Sequence, residues 1–158
     1  MNKHITDVQY KIERANEKDW NTILQVLQSE DLTLWFTGKE SYKDFYVVRN
    51  LFDREVICCF AIDRNNSIGI LKSFAVVKKL QGKGIGRKIA NMIPNMCEEL
   101  RLKRLYAVTI NTPGFWNKTF FREINLIEVK DGFLLQYLCN FVDKVDQYLR
   151  KIHIFLMR

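Results

Sequence analysis

Two prolines and two histidines are all the chain has of either residue, and it lacks any long apolar run. Its longest apolar stretches, residues 56–62 and 152–157, are far shorter than the roughly 20 residues of a membrane-crossing helix. Residues 1–12 are polar and charged, which excludes the apolar core of a secretory signal and the pattern of a transit peptide. No repeat, low-complexity tract or Pro/Gly/Ser-rich linker divides the sequence, so a single domain, 1–158, is expected. The four cysteines, Cys58, Cys59, Cys97 and Cys139, have neither Cys-x-x-Cys nor zinc-ligand spacing. They read as buried free thiols, with Cys58 and Cys59 pointing to opposite faces of a strand. His4 and His153 have no marked cysteine partner, and no metal is implied. The setting this predicts is soluble and cytoplasmic.

What is present points to a packed protein with a local positive charge. Apolar residues make up 47% and aromatics 13%, which excludes a disordered chain. The net charge of +7 admits nucleic acid, an acidic membrane surface or a phosphorylated ligand as partner. Lys78, Lys79, Lys83, Arg87 and Lys88 crowd around three glycines, with Arg101, Lys103 and Arg104 as a second cluster. That pattern favours an anionic small ligand. A nucleic-acid binder gains only from the net charge, since no motif for it is present.

The hydrophobic pattern predicts a strand over residues 8–12, then an amphipathic helix to about Ser29. Asn16 is its N-cap, Glu17 and Asp19 lie in its first turn, and Trp20, Ile23, Leu24 and Leu27 are spaced helically. A helix or loop covers 32–42. Strands over 45–51, 55–63 and 67–77 form an antiparallel meander with turns at Asp53-Arg54 and Asn65-Asn66. A helix over 84–100 contains Pro94, which should kink it. A strand over 103–110 returns parallel to the one before that helix. There follow a short helix over 114–121, a strand over 126–130, a helix over 134–149 and a last strand over 152–157. The exposed edge of this last strand could pair with a second copy of the chain. The class is α+β (mixed α/β), a mixed sheet with helices on its faces.

Between the third meander strand and the long helix lies Gln81-Gly82-Lys83-Gly84-Ile85-Gly86-Arg87. The glycines allow a tight turn that exposes amide N–H groups, and the helix start adds its own unpaired N–H groups and positive dipole end. Together they form an anion-binding nest suited to a pyrophosphate. A P-loop is excluded because Gly-x-x-x-x-Gly-Lys-Ser/Thr is absent. A dinucleotide fingerprint is excluded because Arg87 stands at its third glycine. The plain alternative is a glycine-rich turn that only caps a helix.

The whole string, Leu71-Lys72-Ser73-Phe74-Ala75-Val76, Lys78-Lys79-Leu80 and then the loop, resembles the core motif of the GNAT superfamily of N-acetyltransferases, Gln/Arg-x-x-Gly-x-Gly/Ala after an apolar-Ala-Val strand. Residues 120–129 resemble the family's later Phe-Tyr-x-Lys-x-Gly-Phe-x-x-Val segment, with Asn125 at its glycine. A second register places Phe115-Trp116-Asn117-Lys118-Thr119-Phe120-Phe121 there instead. Asn125 tolerates a left-handed backbone better than Phe120 does, which favours the first register. The resemblance implies a mostly antiparallel central sheet, flanked by helices, with a splayed parallel strand pair. It implies direct transfer of acetyl from acetyl-CoA to a primary amine of a small molecule or peptide. Phe74, Ala75 and Val76 would pair with the pantetheine arm, and the Val76 N–H would be the oxyanion donor. The amides of Gln81, Gly82, Lys83, Gly84, Ile85, Gly86 and Arg87 would take the pyrophosphate, and Asn111 and Phe121 would complete the cofactor contacts.

The sequence departs from the family at its acid and base. Ile70 and Lys72 fill the inward positions where relatives place a glutamate, and no carboxylate lies between Asn65 and Gln81. Glu40 is a remote candidate base. Phe121, or Trp116 in the second register, replaces the tyrosine that protonates the thiolate, so Tyr106 is the candidate acid. Trp35, Phe36, Tyr42 and Phe45 fall in the family's acceptor-binding segment and read equally as pocket or packing. Two functions follow: an N-acetyltransferase, or a non-catalytic acyl-CoA-binding sensor or interaction module.

Overall fold

The computed structural model describes residues 9–36, 38–109, 112–145 and 152–158. Their strands form one seven-stranded sheet in the order β1-β2-β3-β4-β5-β7-β6, with a single parallel pair, β4 and β5. Contacts divide the chain into two compact units, Met1–Ala61 with Ser73–Gly86 and Ile62–Lys72 with Arg87–Arg158. The strands β3 (Val56–Asn65) and β4 (Ile68–Val76) belong partly to each.

In the first unit, β1 (Tyr10–Arg14) runs antiparallel to β2 (Phe45–Asn50), which pairs antiparallel with β3. The expected first strand is thus displaced by two residues, and Val8 lies outside the described residues. Asn16 caps as expected. Its side chain accepts from the Lys18 N–H at 2.9 Å, while its own N–H donates to Asp19 Oδ2 at 2.9 Å. This box opens a 3-10 turn, Glu17–Asp19, that leads into α1 (Trp20–Ser29). Ile23, Val26 and Leu27 of α1 bury against Phe45, Val47, Cys59, Ala61 and Ala75. Phe36 stacks on Trp20 at 6.5 Å, and Phe45 lies 5.8 Å from the same ring. These two acceptor-segment aromatics are therefore packing residues, and Tyr42 joins them against the core. The side chain of Trp35 lies outside the described set.

α2 (Ile85–Glu99), in the second unit from Arg87 on, continues through Pro94 and leads to β5 (Arg104–Thr109). The parallel ladder with β4 runs from Ile68↔Arg104 to Leu71↔Ala107. A one-turn helix, α3 (Pro113–Trp116), precedes β6 (Phe121–Ile124). A long helix, α4 (Gly132–Val145), precedes β7 (His153–Met157).

Three expectations are corrected here. Residues 126–130 do not form a strand, because Asn125 and Glu128 cap each other across a 3-10 turn, Leu126–Glu128. The Asn125 N–H donates to Glu128 Oε2 at 2.7 Å, a local bond that competes with strand pairing. Leu126 and Ile127 face solvent, so their apolar character is no sign of a buried strand. The last strand is not an edge: β7 lies between β5 and β6, so strand-to-strand pairing of two copies would use β1 or β6. Cys139 on α4 is exposed, although Cys58, Cys59 and Cys97 are buried as expected.

Arg49 of β2 joins Glu13 of β1 to Asp19 at the start of α1. Its Nη2 lies 2.6 Å from Asp19 Oδ2, and its Nε contacts Glu13 Oε1. The hydrogen bond from Arg49 holds the Glu13 carboxyl below its usual range of 4.5, against the opposing effect of burial. A lowered folded-state value contributes stability above the unfolded value, and that stability is lost as pH falls through the folded one. Arg49→Gln should therefore flatten the acid limb of the stability profile below pH 4.5. Urea melts between pH 6 and pH 3, a range of about the usual carboxylate titration, check this; an unaltered limb would count against the pairing.

Candidate functional site

The site is built from the end of β4 onward. Ser73 has φ +54°, a left-handed backbone inside a strand, and it follows the last pair of the β4–β5 ladder by two residues. Beyond it, Ala75 and Val76 are buried, and the Phe74 ring lies 6.2 Å from Phe60. The Val77 N–H donates to Ile57 O of β3 at 2.9 Å. Amides alternate in direction along a strand, so the Val76 N–H points to the opposite edge of β4.

A 3-10 turn, Lys78–Leu80, carries the chain from β4 into the glycine loop, where Gly82 and Gly84 have φ of +75° and +79°. α2 begins at Ile85, so the loop runs straight into a 15-residue helix whose first amides lack intrahelical partners. Gln81 holds the loop to β4. Its Nε2 donates to Val76 O at 2.9 Å and to Glu30 Oε1, just past the end of α1, at 2.6 Å. Residues 81–84 and Arg87 are exposed. Lys79 is neutralised by Glu55 at 3.0 Å, whereas Lys83 and Arg87 make no ion pair among the described residues. What this arrangement can offer chemically is a place for an anion: an exposed glycine turn at the start of a helix, with Lys83 in the turn.

Of the remaining predicted residues, Tyr106 and Phe121 belong to the second unit. Tyr106 is buried on β5 between Ile70 of β4 and Leu156 of β7, in a cluster with Leu134 and Leu138 of α4. That is the environment of a core tyrosine. Phe121 is fully buried, its ring edge-on to Trp116 at 5.1 Å. Asn111 lies outside the described residues. Glu40, in the first unit, accepts from the Gly38 N–H at 2.9 Å within its own loop.

Two titratable pairs were missed. Asp63 of β3 lies 2.7 Å from Lys72 of β4, supplying a carboxylate that β4 itself lacks. Glu123 of β6 contacts Nδ1 of His153 of β7. Neither shows in the sequence, because only strand register brings together residues 9 and 30 positions apart.

The buried thiols are not nucleophiles. Burial raises Cys58 well above its usual value, Cys59 to about 12 and Cys97 to about 11. One thiol, that of Cys139, should react with a disulfide reagent in the native protein, and four after denaturation; more than one under native conditions would contradict the burial. The loop has its own test. A Cβ on Gly84 meets nothing within 4 Å, so Gly84→Ala should destabilise through its positive φ alone, by about 1 kcal/mol. Gly114→Ala, equally open and without a positive φ, should not. Thermal melts of the two variants distinguish strain from crowding.

No family model and no curated protein matches the chain by sequence. Solved structures do match. N-acetylglutamate synthase from Neisseria gonorrhoeae, complexed with coenzyme A and N-acetyl-glutamate, superimposes with TM-score 0.70 at 19% identity over 94% of this chain. The match spans only 35% of that synthase's length. An acetyltransferase of the GNAT family from Staphylococcus aureus Mu50 matches with TM-score 0.65 at 15% identity, over 94% of this chain and 98% of that one. Spermidine N-acetyltransferase from Vibrio cholerae, in complex with CoA and spermine, matches with TM-score 0.59 at 13% identity, over 74% and 83%. The fold is thus shared over 94% of the chain with the first two of these structures, and the protein has the fold of the GNAT-family acetyltransferases.

Proposed function

We propose that this protein is an N-acetyltransferase that moves acetyl from acetyl-CoA directly to a primary amine of a small molecule or peptide. The observation that carries the reading is the exposed turn at Gly82 and Gly84, tied by Gln81 to the end of β4 and opening α2. Its amides from Gln81 to Arg87 suit the pyrophosphate of coenzyme A. Phe74, Ala75 and Val76 would pair with the pantetheine arm through the edge of β4 that faces away from β3, with the Val76 N–H as oxyanion donor. Phe121 is fully buried and is not proposed to touch the cofactor. The solved neighbours support the class, since one was crystallised with coenzyme A and N-acetyl-glutamate and another with CoA and spermine.

The chemistry asked of the chain is modest. The amine nitrogen attacks the thioester carbonyl, the carbon–sulfur bond breaks, one proton leaves nitrogen and one reaches sulfur. No helix among the described residues is long and apolar enough to cross a membrane. The proposed compartment is the cytoplasm, where the free thiols stay reduced. A homodimer, if formed through strands, would join at β1 or β6.

The second reading, an acyl-CoA-binding module without activity, draws on the burial of Trp116, Phe121 and Ile70 at the positions of the family's acid and base. Two measurements separate the readings. Acetyl-CoA at a hundredfold excess over its Kd should stabilise the fold by about 2.7 kcal/mol, read as a rise in melting temperature. Gly84→Trp should abolish the rise. With Cys139 blocked, a panel of amino acids, polyamines and peptides should then release free thiol from acetyl-CoA. A thermal rise with no thiol release favours the binding module; no rise at all overturns both.

A further inference from the structure

We infer that two copies of this chain join edge to edge through β1, antiparallel, about a twofold axis at Ile12. β1 closes one end of the sheet, and a sheet edge is a template for another strand. The Ala15 N–H donates to Phe45 O and the Leu51 N–H to Gln9 O, so the odd-numbered residues here direct their backbone groups to β2. Those of Ile12 therefore point outward, to the edge. Every residue involved belongs to the first unit.

The sequence of β1, Tyr-Lys-Ile-Glu-Arg, selects the register. A twofold contact is isologous: where residue i faces residue j, j also faces i. Paired strands keep like faces together, so the axis must pass at a single residue and not between two. At Lys11 it would set Lys11 against Lys11, and at Glu13 it would set Glu13 against Glu13. At Ile12 it sets Lys11 of each copy against Glu13 of the other, and Tyr10 against Arg14. Opposite charges directly across a ladder attract, and Ile12 meets its own copy as a β-branched pair. The strand is its own complement.

The side chains are placed for this. Lys11 is 58% exposed and lies 3.5 Å from Glu13 Oε2, on the face the two residues share, while Arg49 holds the other oxygen of Glu13. A lysine on an edge ordinarily keeps strands apart; in this register it meets a carboxylate instead. Arg14 lies 4.5 Å over the Tyr46 ring, so Tyr10 of the second copy would bring a second ring to the same guanidinium. The opposite edge of the sheet lacks this match. The two central registers of β6 set Arg122 against Arg122 or Glu123 against Glu123.

The test uses the full chain without acetyl-CoA, so its outcome is separate from that of the transferase reading. Sedimentation velocity over a concentration series should show monomer passing to dimer and no further, since one twofold contact uses up the β1 edge. Lys11→Glu, at an exposed position, should raise the dissociation constant about tenfold or more, as two attractive pairs become repulsive. Ile12→Pro removes an outward N–H and no bond to β2, so it should weaken the dimer further while the far-UV circular dichroism is kept. Cross-linking reads the register even if that variant does not fold. In a Cys139→Ser background, which removes the exposed thiol, Ile12→Cys should oxidise to a covalent dimer, because directly opposed Cα atoms lie about 5.5 Å apart. Lys11→Cys should not, because its two copies would sit diagonally, about 7–8 Å apart. A chain that stays monomeric up to its solubility limit overturns the inference. So does a dimer indifferent to Lys11→Glu, or cross-linking of Lys11→Cys as readily as of Ile12→Cys.

Discussion

The ladder between β4 and β5 ends at Leu71↔Ala107, and Ser73 then turns the backbone through a left-handed conformation. A non-glycine residue at φ +54° costs on the order of 1–2 kcal/mol, so the surrounding strand must fix it there. Before Ser73, β4 is an ordinary inner strand; after it, the amide of Val76 points to the edge away from β3. The proposed contacts with the pantetheine arm need that edge, and the glycine loop is placed by the strand that ends there.

The long periodic elements were legible because their residues agree at every level. Asn16 caps, Ile23 and Leu27 bury, and the helix ends at Ser29 as its spacing predicts. The glycine loop was legible for a different reason, since only glycine adopts φ near +80° without strain. The segment after Phe121 misled because Leu126, Ile127 and Val129 resemble a strand, while the Asn125–Glu128 box bends them into a turn and leaves Ile127 in solvent. The final strand misled because an apolar run says that a strand is buried without saying which neighbours bury it.

The acid and base were sought along β4 and on the segment after β5, where the resemblance places them. Ile70, Trp116 and Phe121 there are buried and apolar, and the titratable pairs join neighbouring strands: Lys72 of β4 with Asp63 of β3, and Glu123 with His153. Pairs formed across a sheet have no sequence spacing of their own, so chemistry that moves from one strand to its neighbour escapes any search by motif.

Gln81 is also a joint between α1 and the loop. Both bonds described for it start from one amide nitrogen, one reaching Val76 O and the other Glu30 next to the end of α1. An amide so held would have little rotational freedom to lose were the loop to take up the proposed anion. If the proposed anion binds there, the two regions would be thermodynamic partners: whatever shifts Glu30 would alter the loop's affinity, and an anion on the loop would by reciprocity bear on Glu30.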